Sequence, residues 1–469
     1  MKKIGFLPID NRPVCYDLPK MIADIDVDVK LFLPPKNLLG SLTKNANINA
    51  IFEWLEELNN VDYLVISADT LVYGGLISSR RSADTKEELE RRILRLRNIL
   101  LKKNNCKTLI FSSIMRISNN NCNEEEKEYW AEYGKKIFEY SFELHRSEVE
   151  GDRFAKERAT EIAKEIPQEI LIDWLTTRER NFSVNKEYVK MFDDGIFDTL
   201  IFSKDDCAKY GFNVKEAKYF DLLAQTRRGM FVKTGADEIP LTMLSRCFSD
   251  GKKVKIAPVY TNLGETDKIS KYEDVSVKES VNSQILSAGA SVSAPDEADL
   301  ILYVNNFKGE QGELVMNVDT AAFDGEFVCF DKPYFVADIL NANGADNEFV
   351  KKMFENGLND CFYGYSAWNT TGNTLGSGIA AAVTKFLAKN PDNSAFKKLQ
   401  TVRLLDDWAY QANLRKEFKQ KNLKDEELIK NSFSKYEKEI AKALNTDVYD
   451  ISYSFPWDRF FEIDVKIRN

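Results

Sequence analysis

The stretch DTLIFSKDDCAKYGFN, residues 198–213, places two adjacent carboxylates, Asp205 and Asp206, where an apolar run of strand length gives out. Two acids at a strand end can divide the work of hydrolysis: one orients or stabilises while its neighbour, held protonated by like-charge repulsion, acts as general acid and base. Other apolar runs also end in chemistry-bearing residues. KIGFLPID leads to Asp10 and Arg12, DYLVISAD to Asp69 and Tyr73, and KTLIFSSIMR ends in Arg116. The chain holds one histidine, His145, in the helical pattern FEYSFELHRSEVEG, where a surface position is expected. Ser-His-Asp and Cys-His catalysis therefore have little material, and proton transfer falls first to carboxylates, with Tyr, Lys or Cys as the alternatives.

Three further stretches stand out. ADTLVYGGLISSRRS (68–82) joins Asp69, Tyr73 and Arg80 through two glycines that let backbone approach a ligand. VKTGADEIPLTMLSR (232–246) sets Asp237 and Glu238 just before a helix marked by Pro240, where an acid either caps the helix or faces a ligand. SAWNTTGNTLGSG (366–378) carries Trp368, Asn369 and Asn373, an aromatic plane beside amides that suits a polyhydroxylated ring. Asn305, Asp338 and Asn343, at the ends of the runs DLILYVNN and YFVADI and in ADILNANGAD, join the expected substrate-binding set.

Positioning these residues requires strands that end at one rim. Nine apolar runs, at 3–10, 29–34, 62–69, 107–116, 198–206, 253–261, 299–306, 334–339 and 362–369, alternate with amphipathic segments such as INAIFEWLEEL and KEELERRILRLRNILL. This predicts an α/β protein with a largely parallel sheet, whose strand C-terminal ends meet ligands. A TIM-barrel-like core is the favoured form and an open, mostly parallel α/β sheet the alternative; neither G-x-G-x-x-G after a strand nor a P-loop motif is present. The expected order is a first half of the core at 1–116, a helical insertion at 117–195, a second half at 196–390, and a helical C-terminal region at 391–469 with a possible final strand.

The 469 residues, 43% of them hydrophobic, carry a formal net charge of −9, which argues against a nucleic-acid partner. No run reaches membrane-spanning length and no signal-peptide pattern opens the chain, so a soluble cytoplasmic protein is expected. Seven scattered cysteines, never spaced as C-x-x-C, fit reduced thiols rather than a disulfide framework or a zinc site. No cofactor is expected, and composition says nothing of the oligomeric state.

As a set, PIDNRP, SADTLVYGGLISSR, KDDCAKYGFNVKE, GADEIPLTMLSR, ADILNANGAD, SAWNTTGNTLG and LLDDWAYQANLR resemble a bacterial family described only as a domain of unknown function, numbered 4127. That resemblance spans nearly the whole chain and implies an enzyme-like protein without naming an activity. A more local similarity joins the strand ending in Asp205–Asp206 to barrel β-N-acetylhexosaminidases. It implies that Asp205 holds the substrate's acetamido group and Asp206 is the acid/base.

The leading expectation is a glycoside hydrolase acting on a small glycan, with an N-acetylhexosaminide as the candidate substrate that the local similarity implies, and with Asp205 and Asp206 catalytic. The alternatives are a Mg²⁺- or Mn²⁺-dependent hydrolase or phosphoryl-transfer enzyme using Asp10, Asp69, Asp206 and Glu238, and a non-catalytic sugar-binding protein.

Overall fold

The computed structural model describes residues 1–103, 105–205 and 207–468. It comprises two compact units: an N-terminal one built from Lys2–Asn11 and Leu31–Pro240, and a C-terminal one built from Arg12–Lys30 and Leu241–Asn469 together with Met1.

The strands of the first sheet are β1 (Lys2–Leu7), β2 (Val29–Phe32, of which Leu31 and Phe32 fall in the N-terminal unit), β3 (Tyr63–Ser67), β4 (Lys107–Ile114), β5 (Thr199–Lys204) and β6 (Met230–Thr234). They form one open sheet in the order β2-β1-β3-β4-β5-β6, with parallel pairing from β1 through β6. β3 and β5 are buried along their whole length, as strands covered by helices on both faces must be. Between β4 and β5 run three helices, Trp130–Glu150, Arg153–Lys164 and Gln168–Asp193. They close a separate apolar cluster of Trp130, Ile137, Ile162, Ile166 and Trp174 against Met115 and Ile117.

The C-terminal unit holds β7 (Lys255–Tyr260), β8 (Ser291–Val292), β9 (Leu300–Asn305), β10 (Gly312–Glu313), β11 (Tyr334–Asp338), β12 (Asn341–Ala342), β13 (Phe362–Ser366) and the antiparallel hairpin β14 (Ile451–Ser454) with β15 (Asp464–Ile467). Its main sheet runs β13-β11-β9-β7-β8, parallel throughout. Read from the β8 edge and counted from β7 in chain order, that is the sequence second, first, third, fourth, fifth, the same order as β2-β1-β3-β4-β5. Each unit is thus a doubly wound sheet that reverses direction once, between β1 and β3 and between β7 and β9, and ligands of such sheets bind outside the strand C-termini at the reversal.

Among the described residues no closed barrel forms; the open parallel sheet, the alternative of the two expected architectures, is what these strands build. All nine apolar runs supply a strand. β6 and β8 escape the pattern because MFVKT is half polar and β8 has only two residues. The helix Thr371–Leu387, which carries GSGIAAAV, is buried through Thr384, and a Cβ on Gly378 would touch the Phe335 ring at 3.5 Å, so its small residues serve close packing. His145 corrects the surface expectation. It is buried against Tyr210, and its Nδ1 accepts the Gly211 N–H at 3.0 Å, with burial lowering its pKa so that it stays a neutral acceptor. No described helix is long and apolar enough to cross a membrane.

Candidate functional site

At the β1/β3 reversal the chain leaving β1 is fixed by Thr70. Its hydroxyl reaches the carbonyls of Pro8 at 2.7 Å and Ile9 at 3.1 Å, while Ser67 caps the short helix Ala68–Val72 by accepting the Thr70 N–H. The Asn11 N–H donates to the Gly40 carbonyl at 3.2 Å. Asp10, held between these two anchors, is buried. At the other edge of the sheet the Gly235 N–H donates to the Lys204 carbonyl at 2.7 Å, tying the exit of β6 to that of β5. Gly235 sits at φ +101°, and a Cβ there would lie 1.8 Å from a carboxylate oxygen of Glu238, which folds back over the turn. Asp237 and Glu238 are both buried, and carboxylate oxygens of Asp10 and Asp237 lie within 4.8 Å of one another.

Asp69 plays a different part. Its oxygens accept the Ser112 hydroxyl at 3.0 Å and the Ser113 N–H at 2.9 Å. Ser112 also contacts the Asn185 amide oxygen at 2.8 Å, and the Ser203 hydroxyl donates to Ser113, so one polar belt crosses the ends of β3, β4 and β5. Complete burial lifts the Asp69 carboxyl to about 6 against the pull of the two serines. Tyr73 lies under the Arg180 guanidinium, 5.6 Å from the ring centroid, and burial raises its pKa well above the ordinary value; it is no base.

The ends of β4 and β5 carry an ion cluster. Arg116 reaches Glu125 and Glu126 at 3.0 Å each and Asp205 at 3.2 Å. Arg80 reaches Glu126 at 3.2 Å and Glu125 at 3.5 Å. Arg81 holds the acidic loop in place through the carbonyls of Leu42, Asn123, Glu124 and Glu126.

In the C-terminal unit the β7/β9 reversal is filled by amides: the Asn262 N–H donates to the Asn306 side-chain oxygen at 3.0 Å and the Asn306 amide to the Asn262 carbonyl at 2.9 Å. Asp338, at the end of β11, accepts from the Asn305 amide at 2.9 Å, the Tyr365 hydroxyl at 2.9 Å and the Asp346 N–H at 2.8 Å, joining β9, β11 and β13. Burial, then the charge of Asp346, lifts it to about 7. Asn343, at φ +62°, donates its amide to buried Glu313 and its N–H to the Asn369 carbonyl. LDDWAYQANL forms a π-helical segment, Leu405–Leu414, a geometry frequent at functional sites. Within it Asp407 pairs with Arg403 and accepts the Ala367 N–H at 2.7 Å, and Asp406 lies 3.5 Å from Arg403. Burial lifts Asp407 to about 7.

The model of the family described as protein of unknown function (DUF4127) matches residues 4–466. The chain belongs to this family. No curated protein matches it.

Of the expected site residues, Asp10, Asp69, Tyr73, Arg80, Arg116, Asp205, Asp237 and Glu238 belong to the N-terminal unit. Asp10 and Asp237 approach one another, and Arg80, Arg116 and Asp205 share the ion cluster. Asp206 lies outside the described residues. The expected substrate-binding residues Arg12, Asn305, Asp338, Asn343, Trp368, Asn369 and Asn373 belong to the C-terminal unit. Arg12 sits 3.9 Å from Glu462 and 5.1 Å from the Trp457 ring centroid. Trp368 is buried, only 2% exposed, and offers no open plane to a sugar; the Asn373 amide oxygen is buried without a hydrogen-bond partner. Sequence reasoning missed Glu125, Glu126, Glu313, Asp346, Tyr365, Arg403, Asp406 and Asp407. The Arg403–Asp407 spacing of four, ion-pair spacing on a helix, is the signal that would have found the last group.

Proposed function

We propose that the protein is a glycoside-processing hydrolase whose chemistry is done by carboxylates of the N-terminal unit. The observation that carries this is the Asp10–Asp237 pair, two buried carboxylates within 4.8 Å, brought together from β1 and β6 exits that are fixed by Thr70 and Gly235. Retaining glycosidases use two carboxyl groups about 5 Å apart. One attacks the anomeric carbon as the other gives its proton to the departing oxygen; water, losing its proton to that second group, then releases the sugar and frees the first. With the one histidine spent on holding Gly211, the imidazole route is closed. Asp205, facing Arg116, supplies fixed negative charge at the rim, and its neighbour Asp206 stays a candidate acid/base on sequence grounds.

The test is covalent trapping. A panel of activated 2-fluoro-glycosides is incubated with the full chain and the labelled peptide mapped by mass spectrometry. A glycosyl group on Asp10 or Asp237 is the expected result; no label, or label elsewhere, overturns the assignment. The second reading, a Mg²⁺- or Mn²⁺-dependent hydrolase, rests on the same two oxygen donors and predicts turnover that EDTA abolishes.

A further inference from the structure

The Arg80 guanidinium is 2% exposed, yet none of its three nitrogens makes a hydrogen bond. A buried guanidinium with misaligned partners is costly, because its five donors suit the fork of a carboxylate held in plane. Its ion partners, Glu125 and Glu126, are the same two that Arg116 holds at 3.0 Å, so each glutamate spans both arginines as a bound anion would. The two glutamates differ in access. Glu126 is 5% exposed and its carbonyl is fixed by Arg81, whereas the Glu125 side chain is 22% exposed and follows an exposed run, Asn119–Glu124. The outer carboxylate can swing to water without disturbing the clamped backbone.

We propose that Arg80 and Arg116 form a subsite for a carboxylate group of the substrate, and that Glu125 occupies it as an internal stand-in until substrate arrives. Exchanging one carboxylate for another leaves the charge of the cluster unchanged, and a planar ligand free of the loop can align with Arg80 where Glu125 does not. The substrate class is then an acidic glycoside of the uronide type. This deepens the hydrolase reading and rests on it for the sugar, but not for the carboxylate.

Calorimetric titration of the full chain with D-glucuronate, D-glucose and glucose 6-phosphate, in wild type, Glu125→Gln and Arg116→Lys, tests it. Glucuronate should bind at least tenfold more tightly than glucose. Glu125→Gln should tighten glucuronate about tenfold by removing the competitor and leave glucose unchanged. Arg116→Lys, which keeps the charge but loses the fork, should weaken glucuronate at least tenfold. Equal binding of glucuronate and glucose, glucuronate affinity indifferent to Glu125→Gln, preference for the phosphate, or no glucuronate binding would each overturn the subsite. If the predicted binding pattern holds while no glycoside is turned over, the hydrolase reading falls and the carboxylate subsite stands.

Discussion

Asp69→Asn separates the charge of the belt across β3, β4 and β5 from its shape. The wild-type carboxyl moves from an ordinary 3.8 to about 6 in the folded chain because burial outweighs the two serine donors. A folded-state pKa above the unfolded one means that the folded chain binds the proton more tightly. Asp69's contribution to stability is therefore full below about 3.8, falls as pH rises through the window to about 6, and is lost above it. The size of the swing follows from the shift: about 3 kcal/mol at about 1.4 kcal/mol per pH unit. Asparagine has no such titration. Relative to wild type, the variant should thus gain about 2.4 kcal/mol between pH 4 and pH 7, most of the full swing, whatever its absolute stability. Denaturant-dependent hydrogen exchange at the β3 and β4 amides, in both proteins at both pH values, reads this out. A difference that does not change with pH, or one that moves in wild type's favour at pH 7, would refute the reasoning and show that Ser112 and Ser113 hold Asp69 as a stabilised carboxylate.

Asp338→Ala strips the acceptor shared by Asn305, Tyr365 and the Asp346 N–H, and should cost about 3 kcal/mol or more at pH 6, seen as lost exchange protection in β9, β11 and β13; a loss under about 1 kcal/mol contradicts the crosslink. Gly235→Ala places a Cβ against the Glu238 carboxylate at a φ that disfavours side chains, so it should destabilise the β6 exit by about 1–2 kcal/mol and impair substrate turnover, measured by thermal unfolding beside kinetics. His145→Gln should leave kcat and its pH profile unchanged, because the imidazole only accepts from Gly211; a lost acidic or basic limb would reinstate it as a proton carrier.

Alternation of apolar runs with amphipathic segments was enough to reveal five of the six strands of the first sheet and four of the five of the second, since strands buried on both faces read as unbroken apolar stretches. Barrel and open sheet look alike at that level. What separates them is strand order, and the reversals between β1 and β3 and between β7 and β9 leave no local mark in the residues. Asp10 and Asp237 were both legible as acids at turns, but their approach was not, because it depends on loops from β1 and β6, which are four places apart in the sheet. Trp368 was misjudged since a tryptophan before a glycine-spaced turn reads the same whether it faces a ligand or the core. Glu125 and Glu126 lay in a run of acids, NEEEKE, that resembles any solvated loop; their pairing with Arg80 and Arg116 appears only once β3, β4 and β5 stand side by side.

The most direct test of the proposed chemistry is steady-state hydrolysis of chromogenic glycosides, uronides included, by wild type, Asp10→Asn and Asp237→Asn in the presence of EDTA. The carboxylate-pair account predicts metal-independent turnover by wild type and a fall in kcat of at least about a hundredfold in each variant. Turnover that survives both substitutions, or that disappears with EDTA alone, would contradict it.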